Sequence, residues 1–234
     1  SEMCIRDSKG VEWVADKVTE IDPEGRKVVT AGGKTLRYDF LIVALGLELH
    51  YAGIEGMDTA RIGQDGLGSI YHSPSAASAT WGAMSQFANA GGVGVFGRPA
   101  GEMKCAGAPL KYTFITDDRL RRAGQRSRAE LIYMAQSKSL FGVPIVAEKV
   151  RMLFQDRGVK VHHEHVLQSI DLGKRVATYR TPTGTSEQAY DFINVVPPMR
   201  APDPVRNSPL PWTEGPFAAD GWMEVDRDTL RLSL

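Results

Sequence analysis

The sequence predicts an α/β protein whose main part is a doubly wound parallel sheet. Three observations predict it. Strand-like and helix-like stretches alternate from Ser75 to Val196, the order that builds a sheet with crossover helices. The run Phe40-Leu41-Ile42-Val43-Ala44-Leu45 is continuously apolar, as a parallel strand covered on both faces requires. Polar turns such as Asp22-Pro23-Glu24-Gly25 and Ala31-Gly32-Gly33 divide the N-terminal part into a meander of short strands.

Each element follows from local chemistry. Val11-Glu12-Trp13-Val14 and Val18-Thr19-Glu20-Ile21 alternate like half-buried strands, and Lys27 to Thr30 and Thr35 to Tyr38 continue the meander. The apolar run from Phe40 follows, and Gly46 ends it. Ser73-Pro74 supplies an N-cap and first turn for a helix over 75–90. A strand over Gly92 to Phe96 leads into a loop and then a helix from about Pro109 to Arg122. Next come a strand over Ala129 to Met134 and a helix from Pro144 to Gln155, closed by Gly158. Strands over Val159 to Ile170, Arg175 to Arg180 and Phe192 to Val196 complete this part. Between residues 197 and 216 stand Pro197, Pro198, Pro202, Pro204, Pro209, Pro211 and Pro216, which marks a crossing segment. Gly221 to Val225 reads as one more strand.

Composition excludes several function classes. Apolar residues make up 42% and charged residues 24% of the 234, the values of an ordinary globular chain. Basic and acidic side chains balance at 28 each, so no global field draws nucleic acid or anionic lipid. The basic cluster Arg119, Arg121, Arg122, Arg126 and Arg128 falls where a helix ends, and there cations complement the helix dipole. No apolar run reaches the roughly 18 residues that span a bilayer. His162-His163-Glu164-His165 puts only two imidazoles on one face of a strand, too few for a metal site. Trp81, Phe87, Trp212 and Trp222 form no stacking ladder and read as core.

The most reactive stretch is Met103-Lys104-Cys105-Ala106-Gly107-Ala108-Pro109-Leu110-Lys111. It sets a cysteine beside a lysine in a loop of small residues after an apolar strand. The thiolate is the reactive form of cysteine, and a neighbouring ammonium or helix N-terminus favours it. Small neighbours let a flat partner approach. Arg98 and Lys111 are candidates to orient an anionic sulfur species there. The glycines around the preceding strand do not make a dinucleotide fingerprint: Gly94 and Gly97 are followed by Arg98-Pro99-Ala100-Gly101, and proline has no amide to offer a pyrophosphate. This region is expected to bind no nicotinamide nucleotide.

Lys104-Cys105-Ala106-Gly107-Ala108-Pro109 with Lys111 resembles the active-site cysteine segment of sulfide:quinone oxidoreductases, the branch with the mitochondrial enzymes above all. Tyr38 to Gly46, Phe141-Gly142-Val143, Val195-Val196-Pro197-Pro198-Met199 and Gly221 to Asp226 are similar to further landmarks of that family, in the same order. The resemblance implies a two-dinucleotide-binding-domain, Rossmann-like flavoprotein, here truncated at both ends. Residues 9–65 would be a remnant of the FAD-binding domain and 66–197 a second, NAD-like domain carrying the redox cysteine. Residues 198–231 would cross back and return a strand to the first domain. Residues 1–8 and 232–234 are expected to be library scars, because Met3 to Ser8 can be read from a transposon end sequence and Leu232-Ser233-Leu234 from its reverse complement.

The resemblance also implies chemistry. Cys105 is the expected catalytic residue, forming a persulfide from sulfide. Val18, Ala44, Leu45, Gly46 and Pro198 are the expected FAD contacts. Electrons would pass through FAD to a quinone, with a separate sulfur acceptor. The family's partner cysteine, its glycine-rich FAD motif and its apolar C-terminal region, which makes peripheral contact with a bacterial cytoplasmic or mitochondrial inner membrane, are expected outside this chain. The chain alone is then expected to be inactive. Two other readings stay open: an NAD(P)H-dependent disulfide or quinone reductase of the same superfamily, and a non-enzymatic persulfide-carrying domain.

Overall fold

The computed structural model describes residues 10–232. The expected scar at 1–8 and residues 233–234 lie outside the described residues. In chain order the strands are β1 (Val18–Asp22), β2 (Lys27–Thr30), β3 (Thr35–Arg37), β4 (Glu48–Leu49), β5 (Leu67–Gly68), β6 (Gly92–Gly97) and β7 (Ala129–Met134). They continue with β8 (Val159–His162), β9 (Val166–Asp171), β10 (Val176–Thr181), β11 (Gly184–Ala189), β12 (Phe192–Asn194) and β13 (Met199–Arg200). The helices are α1 (Pro74–Ala90), α2 (Ala108–Arg122), α3 (Pro144–Asp156) and the single turn α4 (Asp203–Arg206).

Two compact units result. One joins residues up to Glu48 with those from Arg200 onward, and the other is Leu49–Met199. Residues 49–65, expected with the first domain, pack in the second unit, because Ile54 and Ile62 are buried in its core.

In the larger unit five strands form one parallel sheet in the order β5-β12-β6-β7-β8. On one face α1, α2 and α3 bury Met84, Phe87, Leu120 and Phe154 against Phe96, Leu131, Tyr133 and Phe192. The opposite face is covered by the antiparallel meander β9-β10-β11, whose Ile170, Ala177 and Tyr179 meet Val95, Ile132 and Ile193. All three crossover helices thus share a face, and the meander takes the place of the second helical layer. Helix α1 starts where expected: the Ser73 hydroxyl accepts from the Ala76 amide and Pro74 occupies the first turn. Gly94 lets this helix lie close to the sheet, since a Cβ there would press on the Phe87 ring.

The smaller unit is a three-stranded antiparallel sheet, β1-β2-β3, with Ile21 packed on Ala201, Val205 and Leu210.

Several expected elements differ. The run 40–45 is not a strand, and Phe40 and Ile42 are 95% and 90% exposed. A buried parallel strand needs neighbours at its edges, and no described strand pairs with this segment. Val11 to Val14 is irregular for the same reason. The expected strand over 159–170 breaks at His163–Glu164, where Glu164 turns left-handed (φ 58°); β8 then belongs to the parallel sheet and β9 to the meander. Strand β11 had no apolar pattern to reveal it, being polar and largely exposed. Gly221 to Val225 contributes only isolated bridges, Met223 to Pro211 and Val225 to Leu232.

Candidate functional site

The cysteine loop joins the end of β6 at Gly97 to the start of α2 at Ala108. Cys105 stands two residues before the helix cap and is exposed. Its backbone is left-handed, with φ of 53°, a conformation that costs a non-glycine residue about 1–3 kcal/mol and gathers at functional sites. The loop is held there by local bonds. The Ala108 amide donates to the Cys105 carbonyl at 2.8 Å, and the Lys104 amide reaches the buried Met199 sulfur at 3.4 Å.

Lys111, one turn into α2, holds its Nζ 3.8 Å from the thiol sulfur. Lys104, adjacent in sequence, instead holds its ammonium 5.7 Å from the centre of the Tyr71 ring. Burial, and then the charge of Cys105, push the Tyr71 hydroxyl above its ordinary range. Phe141 lies near the loop's end: a Cβ on Gly107 would lie 3.9 Å from its ring. Tyr71 gave no sequence signal, since an aromatic residue in an unassigned connection looks like any other.

The expected flavin contacts fall in both units. Val18 is half-buried in β1, while Ala44, Leu45 and Gly46 are exposed. Gly46 has φ of 73°, and a Cβ there would meet only open space. Residues 40–47 make no backbone hydrogen bond among the described residues, so a run of amides and carbonyls stands available beside exposed apolar side chains. That donor set suits a cofactor presenting both an apolar face and polar edges. In the larger unit Pro198 is half-buried and its carbonyl accepts from the His50 amide at 2.8 Å.

No family model matches the chain. The mitochondrial sulfide:quinone oxidoreductase of Mus musculus is 32% identical over 225 residues, covering 95% of this chain and 48% of that protein. Its namesake in Dictyostelium discoideum is 34% identical over 223 residues, with the same two coverages. The chain is similar to sulfide:quinone oxidoreductases over nearly its whole length. It spans about half the length of the curated relatives it matches. Among solved structures, the sulfide:quinone oxidoreductase of Aquifex aeolicus superposes with a TM-score of 0.68 at 23% identity, covering 83% of this chain and 44% of that one. The fold is therefore the Rossmann-like α/β architecture of that structure.

The remaining candidates are structural in their contacts. Buried Asp117 on α2 binds Arg121 at 2.8 Å, Arg126 at 2.6 Å and Arg157 at 2.9 Å. Burial works against the Asp117 charge, but these three guanidinium groups outweigh it and hold the carboxyl below its usual range. Arg121 and Arg126 of the predicted cluster thus join Arg157 in an ion-pair hub, beyond any service to the helix dipole. Trp81, expected in the core, is 43% exposed and lies under Arg119, whose guanidinium is 4.5 Å from the ring centre. The turn at His163–Glu164 removes the strand alternation expected of the histidines: His163 Nδ1 pairs with the Ser137 carbonyl at 3.2 Å and His165 Nδ1 with the His163 carbonyl at 2.7 Å. Among the described residues no three metal-binding side chains converge, and no helix is long and apolar enough to cross a membrane.

Proposed function

We propose that this chain carries the redox cysteine of an enzyme that oxidises hydrogen sulfide and passes the electrons through FAD to a quinone. The observation that supports it most is the exposed, left-handed Cys105 with Lys111 3.8 Å from its sulfur, inside the segment that resembles the family's active-site cysteine. The names of the mouse and Dictyostelium relatives support sulfide and quinone as the substrates.

In this reading Cys105 forms one half of a disulfide whose second cysteine is contributed from outside this chain. Hydrosulfide attacks a sulfur of that bridge; a new sulfur–sulfur bond forms, the old one breaks, and a thiolate leaves. The Lys111 ammonium stands 3.8 Å from the Cys105 sulfur, and the small residues Ala106 and Gly107 keep the approach open. Bound FAD would supply the two-electron acceptor, held by Val18, by backbone of Ala44, Leu45 and Gly46, and by Pro198. The loop over 98–107 stands where a dinucleotide-binding chain would turn tightly into its helix, which supports a thiol site rather than a nicotinamide site. A quinone acceptor would bring the enzyme to a membrane surface, mitochondrial in the relatives' names.

The test is a chimera in which this chain replaces the matching half of the Dictyostelium relative. The flavin-loaded chimera is expected to reduce a soluble quinone in a sulfide-dependent way, and Cys105→Ser is expected to lower that rate by at least about a thousandfold. A flavin-loaded C105S chimera with undiminished turnover would overturn the assignment.

A further inference from the structure

The carboxyl ends of β6 and β12 enclose a cavity of about 20 Å³, lined among others by Arg98, Pro99, Asn194 and Val196. Two features set it apart from ordinary packing. Asn194 is 3% exposed, and neither its side-chain oxygen nor its side-chain nitrogen has a hydrogen-bond partner among the described residues. Arg98 is half-buried and forms no ion pair among the described residues, and its Nε is fully shielded and likewise without a partner. A shielded guanidinium nitrogen and a buried amide, each without a partner, cost free energy unless something satisfies them. Two unpaired donors, Arg98 Nε and Asn194 Nδ2, and one unpaired acceptor, Asn194 Oδ1, belong to residues that line this cavity, at the end of a parallel sheet where ligands commonly bind. The volume admits a single species about the size of a water molecule or slightly larger.

We infer that Arg98 and Asn194 form a binding site for one small monovalent anion at the root of the cysteine loop. Hydrosulfide fits in charge and size, an identity that rests on the proposed sulfide chemistry; the site itself does not. Arg98 opens the loop that Cys105 nearly closes, so an anion held there waits on the same segment as the thiol. The buried Tyr133 hydroxyl, also unpartnered, is a near electrostatic neighbour of Arg98.

Bromide, similar to hydrosulfide in charge and size, is the probe. Equilibrium dialysis of the full chain in chloride-free buffer is expected to show one saturable bromide site, and anomalous diffraction is expected to place the ion in the cavity. Arg98→Gln should weaken binding at least tenfold, Arg98→Lys should restore most of it, and Cys105→Ser should leave it unchanged. An ordered water in the cavity with no bromide signal, or R98Q binding as well as the parent, would overturn the site. Persulfide on Cys105, read by mass after polysulfide treatment, separates the two ideas. Bromide without persulfide counts against the sulfide chemistry alone, and persulfide without bromide against the anion site alone.

Discussion

Lys111 and Asp117 lie on the same helix and show how differently a charge can act. The Lys111 ammonium sits by an exposed sulfur, where an ion pair contributes roughly 0.2–1 kcal/mol. Lys111→Met is therefore expected to slow alkylation of Cys105 by iodoacetamide about two- to fivefold near neutral pH, read in a Cys4→Ser background. Asp117 is fully buried under three arginines, and removing one member of such a hub typically costs about 3–5 kcal/mol. Asp117→Asn should thus lower the denaturant midpoint markedly. Its folded carboxyl titrates below the unfolded value, so this stabilisation is complete above the unfolded value and is lost as pH falls through the folded one. Unfolding midpoints measured from neutral pH into acid should show a loss that D117N lacks. Cys105 could be singled out from sequence because thiol, lysine and small residues are chemically conspicuous. Tyr71 and Asn194 could not, since their interest arises only from what surrounds them after folding.

At the scale of elements, the helices were legible because their ends are written in local chemistry. Ser73 caps α1 and Pro74 begins it, so Ser73→Ala is expected to cost about 1 kcal/mol, measurable as a small drop in Tm. The turn before β5 is stricter: Gly66 has φ of 76°, and a Cβ there would run into the Asp191 carbonyl. Gly66→Ala should destabilise by at least about 2 kcal/mol, and denaturant titration checks it. The parallel strands β6 and β7 were equally readable, being short apolar runs between glycine and charged turns. The 40–45 run had the same pattern and a different outcome, because apolarity states only that a strand wants covering. Partners for it must come from elsewhere. Strand β11 fails in the opposite sense: it is paired along its length with β10 while showing a polar pattern.

For the whole molecule, the uncovered apolar strip is the governing feature. Phe40, Leu41, Ile42 and Leu45 are exposed together, and contiguous apolar surface of this kind drives association. The isolated chain is expected to self-associate, and the double change Phe40→Lys with Ile42→Asp to shift its sedimentation toward smaller species. Unchanged sedimentation would show that the strip is not the adhesive surface. The order of the parallel sheet has a temporal consequence as well. β12, which lies between β5 and β6, is the last of its strands in the chain. During synthesis β5 and β6 emerge long before the segment that must slot between them, so the groove flanking Val95 stays open until Phe192–Asn194 leaves the ribosome. A nascent chain halted before that point would be a natural client for chaperones.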